Sequence, residues 1–102
     1  MMEKIYAIVK KPGEAAGEIK EIDNTLRALQ ELIGGHIEAV PYDEGFAVIC
    51  DNDGRLKGYP HNCNFGGFDY VGSIVIVGIE DDDFTDCPLE LDELDEWMED
   101  ND

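Results

Sequence analysis

The stretch Thr25-Leu-Arg-Ala-Leu-Gln-Glu-Leu-Ile-Gly-Gly-His-Ile-Glu-Ala-Val40 most constrains what this chain can become, because its hydrophobic period changes partway along. Leu26, Leu29, Leu32 and Ile33 fall at i, i+3, i+6 and i+7, which places four apolar side chains on one stripe of a helix over residues 25–33. That stripe requires a core to face. Asp23 or Asn24 can cap the first turn by accepting from its free N–H groups, and Gly34-Gly35 can take the left-handed conformation that ends a helix. After the glycines the period falls to two, with Ile37 alternating against Glu38 and Val40 closing a strand.

The remaining elements arrange themselves around this unit. Residues 3–10 read as a strand with Ile5, Ala7 and Val9 on one face and Tyr6 and Ile8 on the other, a central position in a sheet. Pro12-Gly13 and Gly17 mark a turn, and residues 18–22 return as a second strand. Residues 36–40 and 46–50 form a third and a fourth, as antiparallel neighbours, or the fourth pairs with a short piece at 55–58 across the turn Asp51-Asn-Asp-Gly54. Residues 59–70 show no clean period and read as an ordered surface loop. Residues 71–79 make the last strand, apolar on both faces, and Asp81-Asp-Asp83 ends it. Thr85 or Asp86 then caps a final helix, with Pro88 in its first turn and Leu91, Leu94, Trp97 and Met98 as its apolar edge. The fold class expected is α+β: a mixed or mostly antiparallel sheet of four to six short strands, one central helix and an acidic C-terminal helix. The order resembles a β-grasp arrangement.

At 102 residues the chain makes one domain, with residues 1–79 as body and 80–102 as an acidic helical segment. Charge is the anomaly: 7 Lys and Arg against 25 Asp and Glu give a formal net of -18. Thirteen of the acids lie in residues 80–102, where there is no Lys, Arg or His. Such a chain is repelled by nucleic acid and anionic membrane, so long-range attraction is toward a basic partner or a cation. The N-terminus has only a five-residue apolar run between charges, and Cys50, Cys63 and Cys87 are odd in number without close pairing. A cytoplasmic protein without a disulfide framework is therefore expected.

Four fragments carry a resemblance: Leu29-Gln-Glu-Leu-Ile-Gly-Gly-His-Ile-Glu38, Asp51-Asn-Asp-Gly54, Gly58-Tyr-Pro-His-Asn62, and Gly72 with Ile74-Val-Ile-Val-Gly78. Together they resemble domain of unknown function family 3846, over roughly residues 4–86. The resemblance carries no assigned chemistry. It implies an accessory protein of phage, plasmid or other mobile elements, where anti-defence proteins are frequent. Cys63 and the very acidic C-terminal segment depart from the family pattern.

Read as a helix, residues 88–100 span about 20 Å and carry seven carboxylates, close to the about 6 phosphates of one DNA strand over that length. Asp81, Asp82, Asp83, Asp86, Glu90, Asp92, Glu93, Asp95, Glu96 and Glu99 are then candidate partner-binding residues. The expectation is a non-enzymatic anti-defence protein of anti-CRISPR or antirestriction type. It would act as a DNA mimic that blocks the basic site of a host nuclease without itself binding nucleic acid. The competing reading is a solvated acidic face that keeps the chain soluble or meets a non-nuclease partner as an adaptor or host-takeover protein. A second alternative is a sponge for a signalling nucleotide, built from Tyr59, His61, Asn62 and Phe65 in the 59–70 loop.

No metal, cofactor or catalytic residue is expected. Asp51-Asn-Asp-Gly54 resembles the start of a calcium loop, but Arg55 and Lys57 fall where oxygen ligands belong. His36, His61 and Cys63 lack the paired spacing of a zinc site, and no nucleophile motif or phosphate-cradling glycine loop is present.

Overall fold

Ile74-Val-Ile-Val77 is buried on both faces, and a strand of that kind takes the middle of a sheet with a layer on each side. The computed structural model describes residues 3–98. Its elements are β1 (Lys4–Lys10), β2 (Glu18–Asp23), α1 (Leu26–Ile33), β3 (Ile37–Tyr42), β4 (Phe46–Asp51), β5 (His61–Phe65), β6 (Phe68–Val71), β7 (Ile74–Glu80), β8 (Asp83–Thr85), a 3-10 turn at Leu91–Glu93 and α2 (Leu94–Trp97). The main sheet runs β2-β1-β7-β4-β3 with β8 added to β7, and every neighbouring pair is antiparallel. The fold is thus a mostly antiparallel sheet with few helices. A β-grasp sheet sets its first and last strands parallel, whereas β1 and β7 here run antiparallel.

Strand parity divides the core in two. Ile5, Ala7, Val9, Ala47, Ile49, Val75 and Val77 face α1, meeting Leu29 and Ile33. Ile8, Phe46, Val48, Ile74 and Ile76 face the other way. There they are covered by a second layer, the β5-β6 hairpin and the chain after β8. The sheet, not the helix, is therefore central. In α1 the hydroxyl of Thr25 accepts from Ala28 N at 3.1 Å, so Thr25 is the cap rather than Asp23 or Asn24. Asp23 instead ends β2 and pairs with Lys4 at 2.9 Å, and the Asn24 amide donates to Phe84 O. Gly34, at φ +91°, closes the helix by donating to Gln30 O at 2.7 Å. Leu26, the first residue of α1 and three before Leu29, is 60% exposed and does not dock with the rest of the stripe.

Three expectations are overturned beyond the main sheet. Residues 59–70 are not a loop but a hairpin, turned by Gly66-Gly67 at φ +56° and +90°, angles that glycine adopts without a Cβ penalty. Residues 55–58 are turns and add no strand. Among the described residues, the acidic C-terminal helix does not form as a continuous element either. From Asp86 the chain is extended, with Cys87, Leu89 and Leu91 packed on the second cluster and Asp86, Pro88 and Glu90 facing out. Among the described residues, only the 3-10 turn and the four-residue α2 follow. Period two is satisfied by the sheet beneath, while a longer helix would stack the like charges of Asp92 and Glu96 at i, i+4. Neither Thr85 nor Asp86 caps a helix, since Thr85 lies in β8 and Asp86 Oδ1 accepts from Tyr6 N at 2.8 Å. No helix among the described residues is long and apolar enough to cross a membrane.

Candidate functional site

The strap of residues 86–98 is fixed at both ends. Near its start, Cys87 N donates to Tyr6 O at 2.8 Å, so the strap continues the hydrogen bonding of β1 where β7 leaves it. This approach demands a glycine, because a Cβ on Gly78 would collide with Asp86 O. At its far end Leu94 is 1% exposed, Trp97 stacks on Phe65 at 5.7 Å, and Met98 makes an isolated antiparallel bridge with Phe65 beside β5. Gly66 N donates to Trp97 O at 2.8 Å.

Strap and turn carry the acids in several roles. Asp81 and Asp82 have φ +49° and +70°, the two central residues of a tight β7-β8 hairpin that Asp tolerates better than most residues. Asp83 pairs across that turn with Glu80. Glu93 turns back so that its Oε1 accepts from Glu90 N at 2.8 Å, closing the first turn of the 3-10 segment. Glu90, Asp92, Asp95 and Glu96 face solvent. Glu99 lies outside the described residues. Among the described residues, four of the chain's seven Lys and Arg side chains face carboxylates within the chain, in Lys4–Asp23, Lys20–Glu18, Arg27–Glu31 and Lys57–Asp51 pairs. Residues 86–98 contain no Lys, Arg or His, so the outward carboxylates of the strap have no basic neighbour within it.

Tyr59, His61, Asn62 and Phe65 sit in different surroundings. Tyr59 is wedged among glycines: a Cβ on Gly72 would lie 2.6 Å from its ring, one on Gly54 3.5 Å, and one on Gly34 3.3 Å from its hydroxyl. Asn62 is a latch, its Oδ1 accepting from the buried Lys10 ammonium at 2.7 Å and its amide donating to Lys10 O and Gly72 O. Phe65 is core, and exposed His61 faces Asp69 at 3.7 Å. Beside this knot Asp51, its side chain 1% exposed, accepts from Asp53 N at 2.7 Å and from Lys57 Nζ at 2.8 Å. Burial pushes the Asp51 carboxyl up, but those two donors more than offset it and hold it below the usual carboxylate value. A Cβ on Gly35 would run into the Lys57 ammonium and the Asp51 carboxylate. The motif glycines Gly34, Gly35, Gly54 and Gly72 thus serve one internal knot that ties α1 to the loop after β4.

Sequence reasoning missed an open groove of about 340 Å³ on the second face. The hairpin covers Phe46 and Val48 but leaves the Val40–Cys50 end of the sheet uncovered, and β6 and residues 51–56 wall the gap. Tyr70 lines it, and its phenol donates to the Tyr42 hydroxyl at 2.9 Å, whose own proton goes to Phe65 O. Burial, then that donated bond, raises the Tyr70 phenol well above its ordinary value. Cys50 also lines the groove, and burial followed by the Glu38 carboxylate pushes its thiol up to about 11. Arg55 spans the gap, donating to Asp69 O at 2.6 Å. Leu56, 88% exposed, and Phe68, 53% exposed, form an apolar rim. Exposed apolar residues beside a two-residue glycine turn were the available signal.

Among the described residues no three His, Cys, Asp or Glu side chains gather in a way that could hold a metal ion. No curated protein and no solved structure matches the chain. A family model described as Domain of unknown function (DUF3846) matches residues 3–100, nearly the whole chain. The chain belongs to the DUF3846 family.

Proposed function

We propose that this protein is a non-enzymatic binding protein whose acidic strap engages a basic, nucleic-acid-binding surface of a host protein. The reading is an anti-defence role of anti-CRISPR or antirestriction type in a mobile element. One observation carries it: Glu90, Asp92, Asp95 and Glu96 point outward from a segment locked down by Leu94 and Trp97, with no basic residue between Glu80 and Met98. A docked strap holds its charges in place, so a partner meets a preformed acidic surface and loses less entropy in ordering it.

The mimicry is of a charged patch rather than of a row of phosphates. Residues 86–96 extend at most about 25 Å, counting strand, 3-10 and helical rises. Five exposed acids, Asp86 included, face about 7 phosphates on one DNA strand over that distance. The density is about two-thirds that of DNA, enough to steer a basic groove but short of strand-for-strand imitation.

The test is capture of host proteins on immobilised wild type and on the variant E90Q/D92N/D95N/E96Q, washed at about 0.05 M and about 0.5 M salt, where screening lengths differ severalfold. A nucleic-acid-binding protein held by wild type only at low salt, lost from the variant and displaced by duplex DNA is the expected result. Equal capture by the variant, or displacement by no nucleic acid, would overturn the proposal. A partner that does not handle nucleic acid would make the protein an acidic adaptor.

A further inference from the structure

We infer that the groove between β3 and β6 is a binding site for an arginine side chain presented by a partner segment. Its size, about 340 Å³, is at the small end of ligand pockets, suited to one side chain rather than to a nucleotide. Charge sets the sign of the occupant. Four carboxylates line the groove, Glu38, Asp51, Asp53 and Asp69, against the single guanidinium of Arg55. Lys57 neutralises Asp51, and Asp69 Oδ1 is taken by the Asn64 amide at 3.1 Å on the hairpin side. Glu38 and Asp53 carry no hydrogen bond or ion pair through their carboxylates among the described residues. An anion is repelled here, which argues against a phosphate-bearing ligand, and an organic cation is attracted.

The shape calls for an arm as well as a head. Val40 and Val71 offer apolar contact along the groove, and the exposed Phe68 ring offers a face to a cation at the rim. Glu38 sits opposite Cys50 across the β3-β4 pair and on the same face as Val40, so its carboxylate stands over the apolar floor. A planar guanidinium can bond a carboxylate through two N–H groups and stack on an aromatic at once, which an ammonium cannot. β3 is the outermost strand of the sheet, with Ala39 and Pro41 exposed, so a partner chain can run beside it and reach into the groove. The groove lies across β6 from the strap, since Met98 flanks β5 on the other side, and its occupancy is independent of the acids there.

The test is a ¹H–¹⁵N NMR titration of the wild-type protein with the peptide acetyl-Gly-Arg-Gly-amide, its citrulline counterpart and agmatine. The arginine peptide is expected to give saturable shifts confined to Glu38, residues 50–56 and residues 68–71. The citrulline peptide, equal in shape without the charge, is expected to bind about tenfold more weakly. E38Q and F68A, both at exposed positions, are each expected to weaken binding about three- to fivefold while leaving the remaining spectrum in place. Shifts spread over residues 81–96, equal binding of citrulline, indifference to E38Q, or no saturation would each overturn the inference. Tighter binding of agmatine than of the peptide would overturn the peptide source in favour of a free cation.

Discussion

Replacing Leu94 by Ala and neutralising its acidic neighbours separate two roles that share one segment. Leu94 is 1% exposed and shares its cluster with Ile8, Phe46, Phe65, Ile74 and Ile76. Truncating a leucine so placed costs the transfer of its lost methyl groups plus the cavity left behind, about 3 kcal/mol within a range of 2–5. A domain of this length holds roughly 5–15 kcal/mol in all. At about 4–8 °C per kcal/mol, L94A is expected to lower the melting temperature by about 12–24 °C. E90Q/D92N/D95N/E96Q removes four charges from a chain of net -18, all at exposed positions. Each change lies within about 0.5 kcal/mol, and lost self-repulsion makes the sum neutral or stabilising. Differential scanning calorimetry of both variants decides the matter. A drop under 5 °C for L94A, or unfolding of the four-site variant, would refute the docked strap with outward acids.

Three further outcomes follow from the same geometry. Gly72→Ala adds a Cβ 2.6 Å from the Tyr59 ring at φ +74°, whereas Gly67→Ala meets nothing within 4 Å at φ +90°. Urea midpoints should show Gly67→Ala costing about 1–2 kcal/mol for the left-handed backbone and Gly72→Ala about 1–3 kcal/mol more for the clash; equal costs would remove Tyr59 from the knot. Asp51 is held below its ordinary value and Lys57, bonded to it, above its own. The stability that the carboxylate contributes is present above its unfolded pKa and lost as pH falls through the folded one, while that of the ammonium is lost as pH rises through its raised pKa. The stability gap between wild type and D51N, measured by urea titration, should therefore be full at pH 7 and close below about pH 4; a gap that persists in acid would contradict the pair. With its thiol at about 11, Cys50 should react with a disulfide reagent at pH 8 about 100-fold more slowly in the folded than in the unfolded protein, as thiolate fractions dictate, and mass mapping of the labelled site checks it.

Local pattern made β1, β4, β7 and α1 legible, because apolar residues dominate each and most of them are buried, Tyr6 and Leu26 being exceptions. The β5-β6 hairpin was obscured by polar Asn62, Asn64 and Asp69, although Cys63, Phe65 and Tyr70 alternate with them and all three are buried. The strap satisfies both periods: Leu91, Leu94 and Trp97 fit a helix, while Cys87, Leu89 and Leu91 fit a strand. Only the unpaired backbone of Tyr6 beside it, a tertiary fact, chooses between them. The acidic surface was readable as composition, but the roles of Asp86 and Glu93 as internal acceptors were not. The packing of Tyr59 was not legible because the glycines around it come from positions 34, 54 and 72, which topology alone brings together. The groove was invisible for the same reason, being a gap between layers.

Both the corrected fold and the proposed role rest on acids displayed by an extended, docked strap. Backbone ¹³Cα shifts across residues 86–98 test that most directly. Extended values through residues 86–90, helical values confined to residues 91–97 and an extended value at Met98 are predicted. An unbroken helical run from Pro88 onward, or random-coil values throughout, would contradict it.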